Sequence, residues 1–300
     1  MKKILAAVLA LWMMTGAALA QEGRIGILVP QGEAEGAAAA YWAEARAIEL
    51  GIEYMLCVCE DEKTGLEQLD DMNVWGAEAI VLYPKFEGAQ NLADQARDVG
   101  LSVVSVDMAL DGAFLADADD YDIGVKCAYA VADALEGAGE IAALVTEEAG
   151  AQERLMGFTD ALEEMAPNVN VVEVSIVPQS RAKSREAAEN LLAARESLDG
   201  IFVSDDSMAL GVWDALDAAG RTDVCAVISC GGRQEWLRLI ADSGDVNLFT
   251  ALRTAAMAED AVDMAYVLSR GEAAESVRIS DAQLVGREEA GAYLDEENQY

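Results

Sequence analysis

The feature that most constrains the fold is a regular alternation of short apolar β-like runs with amphipathic helical runs. Strands are predicted over 24–29, 52–59, 79–83, 102–107, 141–146, 171–177, 201–204 and 225–229. Helices are predicted over 37–50, 63–75, 89–99, 123–135, 183–194 and 208–219, with Leu155, Phe158, Leu162 and Met165 recurring at helical spacing. Gly51, Gly76, Gly100 and Gly220 stand where a helix hands over to a strand, a position that favours the left-handed backbone glycine adopts freely. Ile80-Val81-Leu82 and Val103-Val104 are apolar on both faces, as a parallel sheet covered by helices requires. The pattern predicts an α/β chain of doubly wound parallel sheets with right-handed crossovers.

The order breaks once. Residues 111–122 are rich in Asp, Ala and Gly and read as a change of lobe, because a core of this size tends to split. Each half carries several βα units, with no sequence repeat between them. The tail reads as a last strand over 277–285 and a short helix over 288–294.

The chain opens Met1-Lys2-Lys3, runs apolar over 4–18 and continues Ala18-Leu19-Ala20-Gln21. A basic start, a short apolar stretch and a small-x-small ending describe a secretory signal peptide over 1–20. The expected location is the periplasm or the exterior. No cysteine follows the apolar stretch, so a lipid anchor there is unsupported. The formal charge is −35, and removing Lys2 and Lys3 leaves 18 basic against 55 acidic side chains, or −37. Such a surface excludes nucleic acid and anionic lipid as partners, since both need clustered Lys and Arg.

The 0 histidines remove every Ser-His and Cys-His nucleophile pair and the commonest general base, so no catalytic residue, metal ligand or cofactor is assigned. Five cysteines are an odd number for an exported chain. Cys57 and Cys59 share a strand face with Cα atoms about 6.6 Å apart, near the limit for a disulfide. All five are read as small buried apolar residues. The Cys225–Cys230 spacing matches no strong metal pattern. Asp117, Asp119, Asp120 and Asp122 have the spacing of a calcium loop without its glycine and distal Glu, and read as a solvated connection. Trp213 and Trp236 read as core or lobe-surface residues. No P-loop or Gly-x-Gly-x-x-Gly turn is present.

Several stretches together resemble the type 1 periplasmic binding proteins of the ribose-binding class, which share a fold with the ligand domains of lac-repressor-type regulators. They are Ile25-Gly26-Ile27-Leu28-Val29, Ala79-Ile80-Val81-Leu82-Tyr83-Pro84, Gly100-Leu101-Ser102-Val103-Val104-Ser105-Val106-Asp107, Glu153-Arg154-Leu155-Met156-Gly157-Phe158 and Ser204-Asp205-Asp206-Ser207-Met208-Ala209-Leu210-Gly211. No helix-turn-helix precedes Arg24, which sets the regulators aside. The resemblance implies two lobes, 21–118 plus 253–278 and 119–252 plus 279–300, crossed near 116–120, 252–254 and 278–281. It implies a ligand held at the carboxyl edges of the sheets. The chain is expected to be a monomer and, having no long Gly- or Ser-rich lid, to close on the ligand as a hinge.

Carried over position by position, the implied ligand-binding set is Gln31, Glu35, Asp107, Met108, Gln152, Gln179, Asp205, Cys230, Gly231 and Leu252. Met108 stands where the family often has Arg, Gln152 at another arginine, Gln179 near an aromatic, Asp205 at an Asn, Cys230-Gly231 at a Phe-Asp pair and Leu252 at a hinge Gln. Arg154 matches an arginine expected to be structural. Asp107 and Asp205 are expected to carry specificity as acceptors from opposite walls, with Asp206 capping the helix beyond them. The gain of acids and loss of arginines suits a neutral sugar or polyol, or a cationic amine. The implied partner is an ABC permease; the alternatives are a chemoreceptor or histidine kinase that reads the bound form, and an exported hydrolase built on a carboxylate pair.

Overall fold

The computed structural model describes residues 23–31, 35–222, 226–244 and 247–294. The signal-like segment and Cys225 lie outside them. In chain order the first half runs β1 (Arg24–Pro30), α1 (Glu35–Leu50), β2 (Glu53–Cys59), α2 (Glu62–Trp75), β3 (Ala79–Leu82), α3 (Ala89–Asp98), β4 (Ser102–Val106) and β5 (Phe114–Ala118). The second half runs α4 (Asp120–Ala134), β6 (Ala138–Val145), α5 (Ala149–Met165), β7 (Asn168–Ile176), α6 (Arg181–Ala194), β8 (Gly200–Val203), α7 (Asp206–Ala219), β9 (Ala226–Cys230), α8 (Gln234–Asp242) and β10 (Leu248–Ala251). Then come α9 (Arg253–Ser269), β11 (Val277–Ser280), β12 (Leu284–Val285), α10 (Arg287–Ala290) and a 3₁₀ turn over Gly291–Tyr293.

The strands form two six-stranded sheets, ordered β11-β5-β4-β3-β1-β2 and β12-β10-β9-β8-β6-β7. The pairings are parallel except for β12, which runs antiparallel to β10. The fold is therefore the α/β arrangement expected from the alternation, with helices on both faces. In β1, Ile25, Ile27 and Val29 point into one apolar layer, while Leu28 joins Met72, Ile80, Leu82 and Leu92 in the layer on the opposite face. The chain leaves the first sheet after Ala118 and returns at Arg253, where α9 packs on β3, β4, β5 and β11. It passes over again between Ser280 and Leu284.

Three segments differ from the sequence reading. The 111–122 connection contains β5, whose Phe-Leu-Ala-Asp-Ala run mixes acid and apolar residues because it lies near the sheet edge and stays partly open. The 277–285 stretch splits into β11 and β12, one in each sheet, at Asp281-Ala282-Gln283. No bounds are predicted between 231 and 276, where α8, β10 and α9 form. Helix α9 buries residues around much of its circumference, Arg253, Thr254, Met257, Ala258, Ala261, Val262 and Met264 among them, which blurs the one-sided stripe that marks a surface helix.

Helices α4 and α5 approach backbone to backbone. A Cβ on Gly124 would lie 2.0 Å from the carbonyl oxygen of Arg154, and one on Gly157 would lie 2.1 Å from that of Tyr121. Only glycine allows this contact, and it sets Arg154 of α5 beside Asp120 in the first turn of α4. Substituting Gly157→Ala should therefore lower the unfolding free energy by about 2–3 kcal/mol, the ordinary cost of overpacking against a backbone that cannot retreat. Urea titration measures this. Gly291→Ala, where the new methyl group meets nothing within 4 Å, should change stability by less than about 0.5 kcal/mol.

Candidate binding site at the sheet edges

A buried chain of charges crosses from one sheet to the other. Asp107 follows β4 of the first sheet and adopts φ 67°, a left-handed conformation that is uncommon outside glycine and that marks strain at a site. Its carboxylate accepts from the Arg253 guanidinium and pairs with Lys85 Nζ at 2.7 Å. Arg253 Nε also donates to Asp120 Oδ1 at 2.7 Å, and its NH2 group to Asp120 Oδ2 at 3.0 Å. Asp120 is shared in turn with Arg154, whose NH1 group lies 2.5 Å away. The side chains of Arg253, Asp120 and Arg154 are 8%, 7% and 7% exposed, so water scarcely screens these charges.

Burial alone would raise the Asp107 carboxyl, but the Arg253 and Lys85 charges outweigh it and hold the group well below the usual carboxylate range. Asp120 shows the same contest: burial opposes ionisation, and Arg154 and Arg253 win. Burial likewise works against the charge on Arg253, yet Asp107 and Asp120 hold that guanidinium above its ordinary value, so it stays charged.

The carboxyl ends of β6, β7, β8, β9 and β10 converge beside this chain. Thr146, Glu148, Arg154, Gln179, Ser204, Asp205, Cys230, Arg253 and Thr254 enclose a small polar space. In this conformation it offers about 10 Å³, the threshold for a single water molecule. Two of the lining residues carry a buried polar atom with no hydrogen-bond partner, Thr146 at Oγ1 and Arg154 at Nε. None of the described residues lining the space is aromatic.

Of the ten positions carried over from sequence, Gln179, Asp205 and Cys230 line this space. Asp107 reaches it through Arg253. Gln152 instead donates from Nε2 to the Thr146 carbonyl oxygen at 2.6 Å and so steadies the end of β6. Gly231 is packed against Asp206, since a Cβ there would lie 2.7 Å from Asp206 Oδ2. Leu252 is 4% exposed and buried in the core. Met108 is 44% exposed, and Gln31 is exposed, its backbone N–H donating to the Cys59 carbonyl oxygen. The Glu35 side chain lies outside the described residues.

The helix cap falls on Asp205 rather than on Asp206, where it was expected. Asp205 has extended backbone, φ −153° and ψ 146°, and its Oδ1 accepts from the Ser207 amide at 2.8 Å and the Met208 amide at 3.3 Å. It is the N-cap, because only a residue outside the helix can turn its carboxylate back onto the first free amides. Asp206 is the first helical residue, and its side chain points into the lobe. It accepts from Ser229 Oγ at 2.5 Å, Thr250 Oγ1 at 2.8 Å, and the amides of Gly232 and Arg233 at 2.7 and 2.8 Å. Burial pushes the Asp205 carboxyl up, partly offset by its Ser207 bonds. The aspartates with calcium-loop spacing are likewise each engaged: Asp119 caps α4, Asp120 joins the charge chain, Asp117 holds the Ala118 amide and Asp122 pairs with Lys126.

Sequence reasoning missed Arg253. Its neighbour Leu252 took the expected hinge position, and the loss of Arg at Met108 hid the fact that another arginine neutralises Asp107. A second contact between the two halves was also missed: Trp42 Nε1 of α1 donates to the Gly232 carbonyl oxygen at 2.8 Å.

These charges fix a pH dependence. Asp107 and Asp120 have folded values below the unfolded carboxylate value near 4, so their contribution is complete above about pH 4 and is lost as pH falls towards the folded values. Replacing Arg253→Met strands part of two buried charges and should cost about 3–5 kcal/mol at pH 7. Protonating the stranded carboxylates relieves that cost, so the gap between variant and wild type should narrow as pH drops from 7 to about 4. Urea titrations across that range check it; a gap independent of pH contradicts the ion-pair account.

Among known proteins, the family profile described as a periplasmic binding protein domain matches residues 25–273. The ribose import binding protein RbsB of Escherichia coli is 30% identical over 194 residues, which cover 62% of this chain and 64% of that protein. The chain thus matches a little under two thirds of that relative's length. Among solved structures, an ABC transporter periplasmic solute binding protein from Actinobacillus succinogenes with bound D-allose superposes with a TM-score of 0.76 at 20% identity, over 90% of this chain and 100% of that one. An ABC transporter solute binding protein from Mycobacterium smegmatis with bound glycerol gives 0.69 at 28% identity, over 91% and 97%. No helix among the described residues is long and apolar enough to cross a membrane. With two parallel sheets, a polar site at their carboxyl edges and a family profile covering most of its length, this chain belongs to the periplasmic binding protein domain family.

Proposed function

We propose that this chain is an exported, monomeric solute receptor that takes one small neutral polyhydroxylated ligand, a sugar or polyol, between two lobes and delivers it to an ABC permease without catalysing a reaction. The lobes are 21–118 with 253–278 and 119–252 with 279–300, and the ligand enters by hinge opening. One observation carries the reading: Thr146 and Arg154, each with a buried polar atom that has no hydrogen-bond partner, line the same space as Asp205 and Gln179. A hydroxyl group both donates and accepts, so a ligand rich in hydroxyls answers donors and acceptors set side by side. Buried polar groups left unpaired cost free energy that a fitting ligand recovers.

The charge balance favours a neutral ligand over a cationic amine. Asp107 is already neutralised by Arg253 and Lys85, and Asp120 by Arg253 and Arg154. An ammonium group would have to displace a buried guanidinium to reach either carboxylate. The proteins bearing ribose, D-allose and glycerol in their descriptions share this family or fold and are consistent with the same ligand class. A space of about 10 Å³ admits no sugar, so binding requires the lobes to part around the Arg253 chain before closing on the ligand.

A thermal-shift screen of pentoses, hexoses, polyols and amines tests the reading. A neutral sugar or polyol at 100 times its dissociation constant should add about 2.7 kcal/mol of stability. Thr146→Val should then weaken that ligand about tenfold, roughly 1.4 kcal/mol, while leaving the melting temperature of the ligand-free protein nearly unchanged. Stabilisation by amines alone, or full affinity in Thr146→Val, overturns the assignment.

A further inference from the structure

Beneath the polar site two thiols face each other. Helix α4 packs across β9 and β10 and brings Cys127 Sγ to 4.0 Å from Cys230 Sγ. The two residues are 0% and 3% exposed, and they belong to the same half of the molecule although 103 positions apart. A disulfide needs about 2.05 Å between sulfurs, so each sulfur has to travel only about 1 Å. Cys57 and Cys59 lie on β2 of the other sheet. Both belong to the same apolar core, but of the two only Cys230 is among the described residues that line the polar space, beside Asp205 and Thr254.

We propose that Cys127 and Cys230 are a redox modification site, a dithiol that closes to a reversible disulfide by exchange with a disulfide-bearing oxidant of the oxidising compartment. Cys230 reacts first, because it borders the site. Its thiolate, having given its proton to solvent, attacks one sulfur of the oxidant's disulfide, and the other sulfur leaves as a thiolate that takes up a proton. Cys127 then loses its proton and attacks the Cys230 sulfur, forming the protein disulfide and expelling the second thiol of the oxidant. Two protein thiols are oxidised and one disulfide is reduced to two thiols. The hydrogen bond to Cys230 and burial push the Cys127 thiol well above its ordinary value, which makes it the poorer first nucleophile of the two positions by access and by charge cost. The closed disulfide ties α4, which carries Asp120, to the strand end that carries Cys230. Oxidation therefore fastens the charge chain to the wall of the site.

The test is peptide mapping of the purified protein after incubation with oxidised glutathione, with free thiols alkylated before digestion. A Cys127–Cys230 cross-linked peptide is expected, lighter by two hydrogens than the reduced pair and lost on treatment with dithiothreitol. The oxidised protein should melt at a higher temperature, and reductant should reverse the rise. Cys127→Ala should stop at a glutathione adduct on Cys230, whereas Cys230→Ala should leave Cys127 unmodified in the folded state. Repeating the map with Cys57, Cys59 and Cys225 replaced by Ala guards against reshuffling. Recovery of both thiols in alkylated form from folded, oxidant-treated protein overturns the proposal, as does cross-linking of either to another cysteine instead. Both readouts are independent of any ligand, so a failed ligand screen leaves this test standing.

Discussion

The guanidinium of Arg253 is the interaction on which the arrangement of the two halves rests. It stands where the chain re-enters the first half and grips a carboxylate from each side, Asp107 beyond β4 and Asp120 at the start of α4. Ion pairs on a surface contribute little, but these groups are nearly dry, and removing one member leaves the others buried without compensation. The same guanidinium also decides what the site can take. By pairing with Asp107 and Asp120 it occupies two carboxylates that read as free from sequence, and leaves Glu148 and Asp205 as the acids among the described residues that line the space.

That charge chain depends on packing at some distance from it. Arg154 reaches Asp120 because Gly124 and Gly157 let α4 and α5 touch along their backbones. Asp206 fixes the loop after β9 by gathering two hydroxyls and two amides, and that loop carries Gly232 to the Trp42 indole of the other half. The contact between the halves therefore includes an ionic part at Arg253 and a neutral part at Trp42, whose indole donates to Gly232 and also meets the Tyr293 ring edge-on. A hinge motion that opens the site must stretch or re-form these contacts.

Much of the fold was legible in the sequence because parallel strands buried on both faces leave continuous apolar runs, and helix ends leave glycines. Elements that obey neither rule were missed. Strand β5 mixes Asp117 with apolar residues, and α9 is buried around much of its surface, so neither shows a clean period. The site was less legible, for a physical reason. Position in a family pattern finds residues at strand ends, as it did for Gln179, Asp205 and Cys230, but not which way a carboxylate turns. Asp205 and Asp206 are adjacent and chemically identical, and only the backbone angle at the helix start makes one the cap and the other a core anchor. Arg253 carried no signal of its own, since a single arginine beside a hinge has the same sequence appearance whether it faces solvent or two buried carboxylates.

The most direct test is whether Asp107 and Asp120, which belong to different halves, sense each other through the arginine between them. A double-mutant cycle of Asp107→Asn and Asp120→Asn, read by urea unfolding at pH 7, measures it. The account requires the two substitutions to be non-additive by about 1 kcal/mol or more in the presence of Arg253, and that coupling to vanish or change sign in an Arg253→Met background. Additive effects in both backgrounds would show that no charge chain joins the halves, and would contradict the account at its centre.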